Sequence, residues 1–315
     1  MAIFTAGVLG ANMDLIAIGD LAFATPFGQT PTSFGLTLDA EIDQFFGSGF
    51  LFGPDGLPLA GVITGIQETI GGFSSFTISG LNLQVGDLMV WIATDATDAA
   101  KASLLAGSDV ITGGGAANVL RGFGGDDTIA GGEGANNYLR GDDGNDSLVG
   151  SSGFDDINGN KGDDTVDGGA GGADWLVGGQ GNDLITAHAG DNLLYGNLGN
   201  DTLVAGSGAD VMRGGQGDDS LAGGSGADFI SGDRGNDTMS GGAGPDIFHG
   251  SQDAGVDRVL DFNLAEGDRV MLDPGTTFTV SQVGADTVIE MGAGNQMILV
   301  GVQASTLTGA WIFEG

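Results

Sequence analysis

Gly178-Gly179-Gln180-Gly181-Asn182-Asp183-Leu184-Ile185-Thr186 and Gly214-Gly215-Gln216-Gly217-Asp218-Asp219-Ser220-Leu221-Ala222 are two copies of one nine-residue unit, G-G-x-G-x-D-x-U-x, with U an apolar residue. The unit recurs from Gly107 to Gly250. Its acidic column reads Asp109, Asn118, Asp127, Asn137, Asp146, Asp155, Asp164, Asp174, Asp183, Asn192, Asp201, Asp210, Asp219, Asp228, Asp237 and Asp246. Two residues after each stands an apolar one, from Ile111 and Leu120 through to Met239 and Phe248. All 16 units keep the apolar residue and 13 keep Asp, so chance is no explanation. Two spacings are ten residues, Asp127 to Asn137 and Asp164 to Asp174, and read as one-residue insertions in a turn.

Each unit explains itself physically. The x-U-x triplet makes a short strand with one side chain pointing inward. The six residues before it must reverse the chain, and repeated Gly supplies the positive φ that such a reversal needs. Two units close one coil of a flattened parallel roll, with Ile, Leu, Val and Met from both sheets forming a thin core. One inward apolar residue in nine is too little to offset the entropy of ordering so much glycine. Something that binds the turns must supply the difference.

Coil stacking brings the Asp column of each edge together, with turn carbonyls facing the same space. Calcium takes six to eight oxygen ligands of these kinds. Residues 107–250 hold 23 acidic and 5 basic residues, a net charge of −18. Those carboxylates repel one another without cations and serve as ligands with them. The candidate calcium ligands are therefore Asp109, Asp127, Asp146, Asp155, Asp164, Asp174, Asp183, Asp201, Asp210, Asp219, Asp228, Asp237 and Asp246. The expectation is a roll that is unfolded without calcium and folds on binding it, because a site absent from the unfolded chain turns binding energy into folding energy.

The repeat resembles that of the RTX proteins, calcium-binding proteins that Gram-negative bacteria export by type I secretion. What the resemblance implies is a parallel β-roll with calcium held between turn n and turn n+2 by the Asp of each and by backbone carbonyls. Asn118 and Asn137 depart from the pattern, and their units also carry Ala116 and Ala135 in place of the Gly two residues earlier. They neighbour each other on one edge, so the first site of that edge is expected to be weak or empty. Asn192 is a milder departure, since Gly190 remains.

The flanks differ from the roll. Residues 251–315 alternate with a period of two, as in Thr287-Val288-Ile289-Glu290-Met291, and read as an antiparallel β cap. Asp257-Arg258-Val259-Leu260-Asp261-Phe262 and Gly267-Asp268-Arg269-Val270-Met271-Leu272 look like the region after the roll in serralysin-type proteases, where the C-terminal segment carries the uncleaved export signal. A similar role here fits an N-terminus with no Lys or Arg before Lys101 and with Asp14 inside its apolar run, features that a Sec signal lacks. Residues 1–106 hold 10 of the 17 Phe and read as strands, with a turn at Gly53-Pro54-Asp55-Gly56 and a short helix over Asp95 to Leu105. The expected fold is thus all-β: a β-rich N-terminal domain over 1–106, the roll over 107–250 and the cap over 251–315.

Composition narrows the function. A net charge of −34 argues against nucleic acid or an anionic membrane surface as the main partner, and zero Cys excludes a disulfide scaffold. No stretch is apolar enough for a transmembrane segment. His188 and His249 lack the H-E-x-x-H of a zinc protease, and neither G-x-S-x-G nor a P-loop occurs. The chain is therefore expected not to be an enzyme. The expectation is a calcium-binding protein, extracellular or at the cell surface, exported without a cleaved N-terminal signal. It would serve a surface layer, an extracellular filament or matrix, or adhesion, with self-association or a surface polysaccharide as partner. One alternative is a small carbohydrate-active enzyme using Asp39, Glu41 and Asp43 in residues 1–106. Another is a membrane-active toxin, which the missing amphipathic helices disfavour.

Overall fold

The computed structural model describes residues 105–315, apart from 134–135, in full, and six strands between residues 3 and 84 as backbone. The expected turn at Gly53–Gly56 and nearly all of the expected helix Asp95–Leu105 lie outside the described residues, as do the side chains of Asp39, Glu41 and Asp43. Apart from one 3-10 turn at Ala304–Thr306, the regular elements described are all strands. No helix among the described residues is long and apolar enough to cross a membrane. The chain forms two compact units, Met1–Ser151 and Ser152–Gly315.

In the first unit, strands Thr25–Thr30, Ser33–Leu38, Glu41–Phe52, Pro58–Ile70 and Phe73–Gln84 pair antiparallel in sequence order. Ile3–Ala6 lies antiparallel to Phe73–Gln84 and parallel to Val110–Thr112, so the N-terminal sheet runs directly into the first strand of the roll. From there Val110–Thr112, Thr128–Ala130 and Ser147–Ser151 stack in parallel on one side, and Val119–Arg121 and Asn137–Asp143 on the other.

The second unit continues the pattern with wider strands. Thr165–Gly169, Leu184–Ala189, Thr202–Ser207, Ser220–Ser225 and Thr238–Ala243 form one parallel sheet. Asp155–Lys161, Trp175–Gln180, Leu193–Leu198, Val211–Gln216, Phe229–Arg234 and Ile247–Gly250 form the other. Register sets like on like: Leu176, Leu194, Met212, Ile230 and Phe248 form one inward column, each fully buried. Burying a Leu- or Ile-sized side chain contributes roughly 1.5–3 kcal/mol, which leaves the core thin for its length.

Two features depart from the sequence expectation. Strands run to six residues instead of three, because the first two or three residues of the next unit stay in the ladder, as where His188 pairs with Gly206 and Ala189 with Ser207. The first residue of each unit therefore points inward as well. The roll also outlasts the nonapeptides. Val256–Val259 and Arg269–Leu272 each add a parallel strand to one of the two sheets, since Asp257-x-Val259 and Asp268-x-Val270 keep the Asp-to-apolar spacing while the connections lengthen. Within residues 251–315, the antiparallel part is the hairpin Thr279–Val283 and Asp286–Glu290 with Gln296–Leu299. Phe248, Phe262 and Trp311 cluster at this end, with ring centroids 6.2 and 6.3 Å apart.

The turns need a left-handed backbone at the second and fourth positions of the unit, as at Gly215 (φ +115°) and Gly217 (φ +135°). Where the second position is not Gly, it is mostly Asn, Asp or His, as at Asn197, Asp233 and His188, the residue types that tolerate the left-handed region best. At the fourth position space fails as well: a methyl on Gly226 (φ +147°) would run into the Gly208 carbonyl oxygen of the preceding coil. Gly226→Ala is expected to destabilise the calcium-loaded chain by more than about 2 kcal/mol, the left-handed penalty and the backbone clash acting together. Gly115→Ala, where a methyl meets nothing within 4 Å, is expected to stay within about 0.5 kcal/mol of the parent. Thermal melts of both variants in calcium check this pair, and equal melting shifts would refute the crowding argument.

Candidate metal sites along the turns

Within each compact unit, turns of the roll are tied to the next coil through the acidic residue. On one edge of the second unit the backbone N–H of Asp164 donates to Asp183 Oδ1 at 2.8 Å, Asp183 to Asp201 at 2.8 Å, Asp201 to Asp219 at 2.7 Å and Asp219 to Asp237 at 2.8 Å. On the other edge Asp155 donates to Asp174, Asp174 to Asn192, Asn192 to Asp210, Asp210 to Asp228 and Asp228 to Asp246. In the first unit Asp109 donates to Asp127 and Asp127 to Asp146, both at 2.8 Å. The carboxylate columns expected from the repeat thus exist, and all 13 expected aspartates are buried within them.

In nine of these carboxylates one oxygen is used in this way and the other is not. Oδ2 of Asp127 in the first unit, and of Asp174, Asp183, Asp201, Asp210, Asp219, Asp228, Asp237 and Asp246 in the second, is shut from solvent with no hydrogen-bond partner. Except in the Asp210 unit, which opens on Ala205, it rests over the first glycine of its own unit. A methyl on Gly214 would strike Asp219 Oδ2 and lie 2.8 Å from the Gly232 carbonyl oxygen; Gly223 stands in the same relation to Asp228 and Gly241. Where the unit opens on glycine, as at Gly214 and Gly223, a carboxylate oxygen and a carbonyl oxygen from the next coil share the small space above it, while the Asn192 and Asp210 units open on the buried alanines Ala187 and Ala205.

The energetics of this arrangement are poor as long as the charge stands alone. Burial pushes Asp127, Asp174, Asp183 and Asp219 up to about 7, against partial relief from the backbone N–H that each accepts. Asp146, Asp228 and Asp246 are pushed to about 6 by the same cause. A buried carboxylate oxygen without a donor costs several kcal/mol unless a proton or a cation meets it. Hard oxygen donors, half of them charged, suit calcium. Among the described residues no three acidic or histidine side chains gather at one point, so a cation here would take two carboxylates at most and fill its shell with turn carbonyls.

The asparagine units close differently. Asn118 Nδ2 donates to Gly131 O at 2.8 Å, to Ala116 O at 2.6 Å and to Asn137 Oδ1 at 3.0 Å. The amide nitrogen lies over Gly113 as Asp219 Oδ2 lies over Gly214. It satisfies by hydrogen bonding the carbonyl that faces a carboxylate oxygen elsewhere. Asn192 Nδ2 does likewise, reaching Gly190 O at 2.9 Å and Asp210 Oδ1 at 3.0 Å. Replacing both Asn118 and Asn137 by Asp is expected to add one bound calcium per chain by isothermal titration calorimetry, and to weaken the fold in chelator. An unchanged ion count would show that the amides are not what closes this site.

Two aspartates outside the expected set complete the columns. Asp237 N–H donates to Asp257 Oδ1 and Asp246 N–H to Asp268 Oδ1. Their signal in the sequence was the retained two-residue step to Val259 and Val270. The histidines stand apart from the columns. His188 occupies a left-handed turn position and meets Asp167 at 3.0 Å. His249 lies between Ser231 Oγ (3.1 Å) and Asp273 Oδ1 (3.2 Å), an order that resembles a hydrolase triad. Ser231 is 1% exposed and its hydroxyl already donates to Asp233 at 2.6 Å, so this chain of bonds ties coils together and offers no open nucleophile.

The RTX calcium-binding nonapeptide repeat model matches residues 105–138, 140–172, 170–203, 195–230, 204–239, 214–248 and 231–254. No curated protein matches the chain in sequence. Among solved structures it is similar to the AlgE6R3 subunit of the mannuronan C5-epimerase of Azotobacter vinelandii, at 28% identity over 39% of this chain and 78% of that one, with a TM-score of 0.26. It is also similar to the extracellular lipase LipA of Serratia marcescens, at 18% identity over 59% of this chain and 44% of that one, with a TM-score of 0.25. Residues 105–254 of this chain thus carry RTX calcium-binding nonapeptide repeats, wound as a parallel β-roll.

Proposed function

We propose that this protein is a secreted structural or interaction protein whose roll folds on binding calcium outside the cell, and that it has no catalytic activity of its own. The observation that carries the reading is the column of buried Oδ2 atoms without hydrogen-bond partners, repeated turn after turn from Asp174 to Asp246. So many uncompensated charges make the metal-free roll costly and the calcium-loaded roll rigid. Such a chain stays extended where calcium is scarce and sets where calcium is plentiful, which suits passage through an export channel followed by folding outside. In this reading the thirteen aspartates expected from the repeat hold the ions, together with turn carbonyls.

A rigid spacer needs contact surfaces. The outer face of one sheet in the second unit supports that role: Trp175, Leu193, Val211, Phe229 and Ile247 align in register, with Trp175 and Leu193 exposed and the rest half-buried. The opposite sheet shows Thr202, Ser220 and Thr238 at the matching position. An apolar row on a protein of net charge −34 is suited to self-association once calcium neutralises the turns, as in a surface layer, filament or matrix, or to adhesion. Electron microscopy of the purified chain with and without calcium tests this. Ordered assemblies in calcium alone are the expected result; monodisperse particles in both conditions, or turnover of polysaccharides in a substrate screen, would overturn it.

A further inference from the structure

The two edges of the roll end differently. On one edge the last two rungs are Asp237 and Asp257, and their turn repeats the geometry of the nonapeptides. Asp237 N–H donates to Asp257 Oδ1 at 3.1 Å, as Asp219 N–H does to Asp237 Oδ1 at 2.8 Å. Arg258 N–H donates to Asp237 O at 2.8 Å, as Thr238 N–H does to Asp219 O at 2.8 Å. Gly255, two residues before Asp257, has φ +90° and stands where Gly235 stands one coil earlier. Asp257 is fully buried, and its Oδ2 has no hydrogen-bond partner, nor has Oδ2 of Asp237. Burial and the facing Asp237 push Asp257 up to about 8.

On the other edge Asp268 occupies the corresponding rung, and it is satisfied. Its Oδ1 accepts Asp246 N–H at 3.0 Å and its Oδ2 accepts Asn263 N–H at 2.7 Å. The same residue type at the same place in the coil is thus closed on one edge and open on the other. Chain connectivity is the reason. The loop after Phe262 folds back so that Asn263 reaches Asp268, whereas Asp257 lies in a turn whose Gly255 N–H is taken by Asn295 Oδ1 at 2.9 Å.

We infer that a divalent cation site lies between the Asp237 and Asp257 turns, one coil beyond the nonapeptides, and that the opposite edge has no counterpart at Asp268. Two buried carboxylates that face each other with two unpartnered oxygens need a positive charge between them. The inference rests on the calcium reading of the repeats. It goes further by assigning a ligand outside them and by making the two ion columns unequal in extent. The site would join the repeat region to the C-terminal segment, since Val256–Val259 pairs directly with Gln296–Leu299.

The test is anomalous diffraction from crystals of the full chain in which terbium replaces calcium, with ion counting by calorimetry on two variants. The expected map has a peak within about 2.5 Å of carboxylate oxygens of Asp237 and Asp257, and none at Asp268. Asp257→Asn is expected to bind one calcium fewer than the parent, and Asp268→Asn the same number. Peaks at the Asp183, Asp201 and Asp219 turns without one at Asp257 would overturn this inference and leave the calcium reading standing, a shared proton then being what joins the pair. A map without peaks on any turn would overturn both. Should Asp257→Asn fail to fold, the parent map alone decides.

Discussion

Moving the folded chain from millimolar calcium into chelator is expected to abolish most of its β-sheet circular dichroism, with the loss confined to the repeat region. Each saturated site stabilises the fold by about 2.7 kcal/mol when calcium stands at 100 times its dissociation constant, and small domains hold only about 5–15 kcal/mol in all. A few sites therefore exceed the stability of an ordinary domain, and the core of this roll is thinner than an ordinary one. Hydrogen exchange before and after chelation checks the location. Amides such as Thr202 N–H and Ser220 N–H, bonded between coils at 2.8 Å, are expected to pass from strong protection to none. Undiminished dichroism and protection in chelator would mean that the apolar columns suffice alone, and the folding-on-binding reading would fail.

Acid is expected to do in chelator part of what calcium does at neutral pH. Asp127, Asp174, Asp183 and Asp219 are raised from 3.8 to about 7 in the fold by burial. Between those values the folded chain binds more protons than the unfolded chain, so stability falls as pH rises. The penalty is absent below about pH 4, where these groups are protonated in both states, and complete above about pH 7. For one such carboxylate it amounts to roughly 4 kcal/mol, and neighbouring groups make the total less than a simple sum. In chelator the β signal is thus expected to be stronger at pH 4.5 than at pH 7.5. In saturating calcium the order reverses, because protons compete for the same oxygens. A metal-free chain more structured at pH 7.5 than at 4.5 would contradict the burial of these carboxylates.

The triad-like order of Ser231, His249 and Asp273 illustrates how the fold constrains what its residues can do. Ser231 pairs with His249 in the parallel register and His249 with Met271, two residues before Asp273, so the stacking of coils brings the three near one line. A hydroxyl that already donates to Asp233 and is closed to solvent is a structural bond. The apolar row from Trp175 to Ile247 arises from the same stacking and is open to solvent at Trp175 and Leu193. That difference in exposure is why the interaction reading rests on the row and no catalytic reading rests on the triad.

Much of this protein was legible from its chain alone, because a nine-residue period prescribes its own geometry. Glycine at two fixed places forces the turns, an apolar residue at one place forces the inward column, and two units per coil put alternate aspartates on opposite edges. Asn118 and Asn137 stood out in the sequence for the same reason, since any departure from a strict repeat is visible there. Tertiary structure alone decided the rest, and in each case the cause is a contact between residues far apart in sequence. It made the first glycine of units such as Gly214 and Gly223 a seat for the aspartate, because Oδ2 folds over it beside a carbonyl from the next coil. It left Asp257 open and closed Asp268 through Asn263, a distinction that two similar Asp-Arg-Val triplets cannot carry, because which backbone N–H reaches a carboxylate depends on how the chain returns.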